Sequence, residues 1–373
     1  MPAPPPGAGK PRLLLVSRKW PPAVGGMETY AVELAESLRE AFDVELLVLP
    51  GRADGRPPPL WRIAPFLLRA MFACLLRGRR FEHVVFGDLV LFPAALCLRL
   101  VAPRQRRWVV VYGLDLVFQH RRGLLPRCYA AFLAAFRRCQ GAFAGIVAIS
   151  RHTAALAGEL GLAGVRVIPP SLPANALTEA PPPEAPLPEA WTRARRRVLY
   201  FGRLVPRKGA LWFAEQVMPQ LDADAEFFVV GHATDAESGR RLQASARTHC
   251  LGRIDSARLA AMIRAADVVV MPNVATPEAL DVEGFGLAAI EATSLGARLL
   301  AARIDGIVDA VEDGVTGTLL PAGDAARWAE ATAQALARPR TAGDADAVAA
   351  ATRTRYARAR QGEAFARLLG AAR

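Results

Sequence analysis

PNVATPEALDVEGFGLAAIEATSLGA, from Pro272 to Ala297, follows the apolar run DVVVMP (Asp267–Pro272) and holds the stretch whose reading decides the fold. A short β-branched run that leads through glycines into a helical pattern is the strand–loop–helix unit of a parallel α/β sheet. Gly284 and Gly286 let the backbone approach a ligand closely. A helix expected from about Phe285 offers free N–H groups and the positive end of its dipole. Glu291 lies about two turns beyond Glu283 on nearly the same helical face, so it can reach a pair of sugar or ribose hydroxyls. The cluster falls at the C-terminal end of a parallel strand, where open α/β sheets bind ligands. The competing reading is a loop glutamate and an exposed helix glutamate in no special relation.

Working outward, the same alternation fills the chain. RLLLVS (Arg12–Ser17), VELLVL (Val44–Leu49), HVVFG (His83–Gly87), WVVVYG (Trp108–Gly113), GIVAIS (Gly145–Ser150) and VRVIPP (Val165–Pro170) are strand candidates in the first half. VLYFGRL (Val198–Leu204), EFFVVG (Glu226–Gly231), DVVVMP and ARLLAA (Ala297–Ala302) repeat the pattern in the second. Between them PPPEAPLPEA removes backbone donors and holds the chain extended, so neither helix nor strand is expected to run through it. The expected organisation is an arm over 1–11, a Rossmann-like acceptor domain over 12–175 and a Pro-rich linker over 176–197. A Rossmann-like donor domain over 198–345 follows, with a C-terminal helix over 346–373 that crosses back to the first domain. Helices are expected over Asp324–Ala337 and Asp344–Leu369.

Composition limits the function. With 373 residues, 52% hydrophobic and 22% charged, the chain suits two globular domains. Its five cysteines, Cys74, Cys97, Cys128, Cys139 and Cys250, are scattered without a C-x-x-C pair, which argues against a disulfide framework or a zinc site and for a cytoplasmic location. MPAPPPGAGKPR lacks the apolar core of a secretory signal, and its GAGK lacks the strand and the full pattern of a phosphate loop. The stretch Val84–Leu98 is broken by Asp88 and Pro93 and is too short to span a membrane, so it reads as a buried strand and a helix. The net charge of +12 is uneven: residues 1–180 carry 23 Lys+Arg against 12 Asp+Glu, and the remainder 24 against 23. Such asymmetry suggests an anionic partner for the first half, although a genome that writes Arg freely would produce it too.

Two further turns carry chemistry. Strand RLLLVS leads through PPAVGG to a helical pattern, which places Gly25 and Gly26 where amides at a helix N-terminus can meet an anion; a plain strand-to-helix turn would use the same glycines. FGRLVPRKG (Phe201–Gly209) sets Arg203 and Lys208 around a turn between strand and helix, which suits a diphosphate. A solvated basic turn is the alternative. LWRIAPFLLRAMFACLLRGRR (Leu60–Arg80) and RRGLLPRCYAAFLAAFRRC (Arg121–Cys139) pair apolar stretches with basic ends. Each is either a membrane-interface helix or a packing helix with arginines at its solvent edge.

With these motifs in their order and spacing, the chain resembles glycosyltransferase family 4 from Arg12 to about Gly370. GGME (Gly25–Glu28), AIS (Ala148–Ser150), FGRLVPRKG, the LG before Arg253, EGFGLAAIE and VEDGVTGTLL carry the resemblance. It implies a GT-B fold, two Rossmann-like domains facing each other across a donor-binding cleft, and retaining transfer of a hexose-type sugar. It implies Glu291 on the nucleotide ribose, and Glu283 with the amides of Phe285, Gly286 and Leu287 on the donor sugar and phosphate. Arg203 and Lys208 would grip the diphosphate, with Gly26 approaching it from the first domain; Gly25, Gly202, Arg253 and Gly284 complete the implied donor set. Arg203, Lys208 and Glu283 would be the catalytic residues, and Tyr112, Asp115 and Ser150 the contacts for acceptor or sugar.

Three positions depart from the family. Tyr112 stands in YGLD where a histidine is common; a phenol exchanges hydrogen bonds but does not become a cation near neutral pH. Gly231 is followed by His232, Ala233 and Thr234 without the usual second glycine, and DGIVD (Asp305–Asp309) replaces a G-G-x-P-E turn, which predicts a looser turn. The expected partners are a UDP- or GDP-sugar donor, a sugar or glycolipid acceptor and the inner face of an anionic membrane, with no nucleic acid. No cofactor and no metal are expected. The rival readings are another GT-B sugar-nucleotide enzyme, an epimerase or a phosphorylase, and a non-enzymatic basic protein that binds membrane or nucleic acid.

Overall fold

Runs of Val, Leu and Ile flanked by helical segments bury both faces of a sheet, which is the requirement of parallel strands. The computed structural model describes residues 10–173, 186–233, 235–275 and 281–370, and within them these runs form two six-stranded, all-parallel sheets. The first contains β1 (Arg12–Ser17), β2 (Asp43–Val48), β3 (His83–Phe86), β4 (Arg106–Val111), β5 (Gly145–Ala148) and β6 (Val165–Val167), in the order β2-β1-β3-β4-β5-β6. The second contains β7 (Arg196–Phe201), β8 (Ala225–Val230), β9 (Thr248–Gly252), β10 (Val268–Met271), β11 (Leu299–Ala302) and β12 (Thr318–Leu320), in the order β12-β11-β10-β7-β8-β9. The second order is that of the Rossmann fold, and its direction reverses between β7 and β10; the first reverses between β1 and β3. Each reversal opens a crevice at the C-terminal strand ends.

The first compact unit runs to Ser171 and takes back the chain from Ala357, and the second spans Leu172–Tyr356. Val16, Phe86, Val109 and Val111 lie in the core of the first unit, and Val198, Phe227, Val268 and Trp328 in that of the second. The expected Pro-rich linker ends earlier than its composition suggests. A short helix occupies Glu189–Arg193 and β7 begins at Arg196, because the prolines stop at Pro188 and Trp191 then finds a buried place against Phe228. Residues 176–185 of that linker, 174–175 before it, 1–9 of the arm, Thr234 and 371–373 lie outside the described residues.

Two strands escaped the sequence pattern. β9 (THCLG) and β12 (TLL) are the two edges of the second sheet, paired on one side only, and edges need fewer apolar residues. The expected helix Asp344–Leu369 is instead two helices, Ala342–Arg355 and Arg358–Leu369. The first opens with a capping box between Thr341 and Asp344. The break between them separates two anchors. Tyr356 donates its hydroxyl to the Asp309 carbonyl (2.6 Å) in the second unit, whereas Arg358 binds Glu33 (2.9 Å) and Gln361 accepts from Ser37 (2.7 Å) in the first. Among the described residues no helix is long and apolar enough to cross a membrane.

Candidate active site

β7 and β10 end side by side at Phe201 and Met271, and the segments that leave them meet. After β7, Pro206–Lys208 form a single 3-10 turn closed by Gly209 in a left-handed conformation (φ 73°). A Cβ on Gly209 would stand 1.7 Å from the Pro272 carbonyl oxygen, so only glycine lets the two segments touch. Val274 donates to the Arg207 carbonyl (2.9 Å) and locks the turn against the end of β10.

Glu283 is the centre of this junction. Its Oε2 receives Lys208 Nζ (2.5 Å) and Arg207 Nη1 (2.5 Å), with Asn273 Nδ2 at 3.4 Å. Arg207 reaches back through Nε to Asp281 (2.8 Å). Burial would raise the Glu283 pKa, but the charges of Lys208 and Arg207 outweigh it and hold the carboxyl down at about 2. Arg207 responds in kind: burial would lower its pKa, and Glu283 and Asp281 raise it instead. The Glu283 backbone is clamped as well, since its N–H donates to Asp305 Oδ2 (2.9 Å) and its carbonyl accepts from Gly306 (2.9 Å). Asp305 adopts a positive φ of 50° to do so. DGIVD is therefore a tied turn rather than the looser one expected, because the Asp305 carboxylate supplies a bond that a glycine could not.

Gly286 (φ 102°) caps the helix Leu287–Ser294, which starts two residues later than expected because Phe285 turns inward against Tyr356. Glu291 lies on this helix, and burial pushes its pKa up to about 7 against a weaker downward pull from Lys208. Lys208 thus influences both glutamates of the motif. Among the donor candidates, Lys208, Glu283, Gly284, Phe285, Gly286, Leu287 and Glu291 form one neighbourhood with Gly202 at the end of β7. Arg203 and Arg253 are exposed, and the Arg203 carbonyl accepts the Tyr200 hydroxyl (2.8 Å). Residues 276–280 of the opening segment lie outside the described residues. Sequence reasoning passed over Arg207, Asp281, Asn273 and Asp305. The adjacent cations in PRKG were the one available signal, and nothing in the sequence told that both turn inward onto one carboxylate.

The first unit has its own junction after β1 and β3. Arg18 Nε meets the buried Asp88 (2.5 Å), and Lys19 beside them has its pKa lowered by burial and by Arg18. Tyr112 follows β4 and packs edge-on against Tyr30 at 5.4 Å; the hydroxyls of both are buried and have no partner among the described residues. Asp115 accepts the Tyr112 N–H through Oδ1 (3.0 Å) while Oδ2 is unpartnered, and burial raises its pKa to about 6. Ser150 caps a helix by accepting from Thr153 N–H (3.0 Å). Gly25 and Gly26 open the helix Gly26–Arg39. Among the described residues no group of three or more His, Cys, Asp or Glu side chains converges as a metal set.

The family model described as Glycosyl transferases group 1 matches residues 195–338, the span that carries both β7 and the Glu283 junction. Phosphatidyl-myo-inositol mannosyltransferase of Mycobacterium leprae (strain TN) is 26% identical over 82% of this chain and 82% of its own length. The chain is a glycosyltransferase whose residues 195–338 carry the match to the group 1 family. This glycosyltransferase is also 27% identical, over 88% of itself and 90% of the relative, to GDP-mannose-dependent alpha-(1-6)-phosphatidylinositol monomannoside mannosyltransferase of Mycolicibacterium smegmatis. Its fold matches Anabaena Alr3699/HepE in complex with UDP and glucose, with a TM-score of 0.68 at 18% identity, covering 96% of this chain and 99% of that one. The glycosyltransferase is a hexosyltransferase on a GT-B fold, as its family resemblance implies.

Proposed function

We propose that the glycosyltransferase moves a hexose, mannose in the first instance, from a nucleoside diphosphate sugar to an inositol-phospholipid acceptor, retaining the anomeric configuration. The observation that carries the reading is Lys208, paired with Glu283 at the reversal of a Rossmann sheet, with its charge also lowering the Glu291 pKa. Two long matches to mannosyltransferases named for phosphatidylinositol lipids support the acceptor class. A diphosphate entering this junction gains Lys208 and the amides of Phe285, Gly286 and Leu287, with Arg203 and Arg253 at its exposed rim. Glu291 holds the ribose and Glu283 orients the sugar. As the glycosidic bond breaks, charge grows on the leaving diphosphate, which takes the acceptor proton itself on the same face of the sugar. Lys208 and the helix N-terminus stabilise that charge. The cations meet the need that a divalent metal would otherwise serve, so transfer continues in chelator.

The helix Leu60–Arg77 supports a membrane-proximal acceptor. Phe66, Ala70 and Cys74 face the core, while Trp61, Leu68, Phe72, Leu75 and Leu76 form an exposed apolar stripe on the opposite face. Arg62, Arg69, Arg79 and Arg80 are exposed beside it, suited to anionic headgroups at the inner face of a membrane. Arg77 is the exception, turned aside to pair with Glu45.

A thermal-shift panel of UDP, GDP and their sugars identifies the base, because a ligand bound to the native state raises the melting temperature. Radiolabelled transfer to phosphatidylinositol vesicles then tests the acceptor. Stabilisation by no nucleoside diphosphate, or transfer only to soluble sugars, overturns the corresponding half of the reading.

A further inference from the structure

Two cations converge on one oxygen of Glu283, and a site that must also hold a diphosphate cannot keep both there. Lys208 is the mobile one: its ammonium ends a flexible stem and reaches Glu283 at 2.5 Å from a side chain that makes no second ion pair among the described residues. Arg207 is the fixed one. Its side chain is 7% exposed, its carbonyl is tied to Val274, and its planar guanidinium spans Asp281 and Glu283. Arg207, Lys208 and Asn273 all crowd Oε2, and Oε1 makes no hydrogen bond or ion pair among the described residues, which leaves its lone pairs for a sugar hydroxyl.

An incoming diphosphate attracts Lys208 and repels Glu283. If Lys208 left and no other cation remained, Glu283 would be a largely buried anion beside a second anion. It would then take up a proton or swing away. We propose that Arg207 is a positioning residue that keeps Glu283 ionised and anchored through Oε2 while Lys208 moves to the donor diphosphate. The proposal rests on the reading of this junction as a nucleoside diphosphate site. The other titratable or charged groups around Glu283 are Asp281 and Asp305, whose carboxylates oppose its ionisation, and Tyr200 and Glu291, which flank the turn. Asp281 stays paired with Arg207 throughout.

Calorimetric titration of UDP and GDP into the full-length protein, in two buffers of different ionisation enthalpy, reads affinity and proton uptake together. R207M is expected to bind at least about tenfold more weakly and to take up close to one more proton than wild type, because Glu283 must neutralise when Lys208 leaves. R207K retains a cation and is expected to restore wild-type proton uptake while recovering only part of the affinity. In an E283Q background the further change R207M is expected to shift affinity less than about twofold, since no anion remains to hold. Wild-type affinity and proton uptake in R207M, or an equal loss with and without E283Q, overturns the proposal. Should R207M fail to fold, E283Q/R207M against E283Q carries the test, and a tenfold loss there overturns it. A wild type that binds neither nucleotide defeats the proposed site itself, a result distinct from normal nucleotide binding in R207M.

Discussion

The two sheet reversals place polar groups in the same topological position; both pair charges, Arg18 with Asp88 in the first, but among the described residues only the first also leaves buried hydroxyls unbonded. Around Glu283 the charges are internally paired: Lys208 and Arg207 on Glu283, Arg207 on Asp281. Around Tyr112 the hydroxyls of Tyr30 and Tyr112 and one oxygen of Asp115 are buried without partners. The difference follows from cost. An unpaired buried ion loses several kcal/mol, so a charged site must close on itself before any ligand arrives. A buried phenol without a partner loses only about 1 to 3 kcal/mol, which a fold can tolerate. On the proposed reading the second junction binds by exchanging ion-pair partners, whereas the first offers unused hydrogen-bonding capacity.

The largest test of this contrast is removal of the exchangeable cation. Lys208→Ala is expected to lower turnover by about 100-fold or more, the size of losing one preorganised charge stabiliser, with single-turnover kinetics separating chemistry from binding. Arg203→Ala, at the exposed rim, is expected to approach the same loss if its side chain folds over the donor. Near-normal turnover in both variants would break the assignment of this junction to catalysis.

The next effect is on stability against pH. Glu283 titrates near 2 in the folded protein and 4.5 in the unfolded chain, so its contribution is present above pH 4.5 and is lost as the pH falls toward 2. Glu291 has the opposite sign: with a folded value of about 7, it costs nothing below pH 4.5 and its full cost is reached above pH 7. Each amounts to roughly 3 kcal/mol. Denaturant unfolding between pH 4.5 and 7.5 is expected to show a decline to which Asp115, raised to about 6, contributes at the lower end and Glu291 up to about pH 7, so Glu291→Gln removes the part above about pH 6; an unchanged decline there would place its origin elsewhere.

A smaller effect concerns the surface of the first unit. Replacing Trp61 and Phe72 together by Ser is expected to weaken binding to anionic vesicles by about tenfold at low salt, with the fold intact because both face outward. Equal sedimentation of wild type with neutral and anionic vesicles would remove the membrane role. The smallest effect sharpens the contrast most directly. Tyr112→Phe removes a hydroxyl that bonds nothing in the described residues, so stability is expected to hold or rise, by up to about 1 to 3 kcal/mol in thermal unfolding, while acceptor KM rises. A large stability loss would mean that the hydroxyl has a structural partner.

Much of this molecule was legible in the sequence. Apolar runs at regular spacing are a local property, and they determined the α/β class, the repetition of two wraps and ten of the twelve strands. The motifs EGFGLAAIE and FGRLVPRKG pointed to Glu283 and Lys208, because strand-to-helix turns always lie at strand ends. The edge strands β9 and β12 were missed since pairing on one side demands little of their residues. The break at Tyr356 was missed because its cause is an anchor on Asp309, 47 residues away. That both cations of PRKG turn inward was decided by the approach of β10 to β7, and that Asp305 ties the Glu283 loop was decided by a contact across 22 residues. The sequence by itself determined what kind of chain this is and where its strands end. Only tertiary structure decided which charges share a carboxylate and which hydroxyls are left unbonded, because electrostatic pairing depends on distance in space and on burial, and neither is written along the chain.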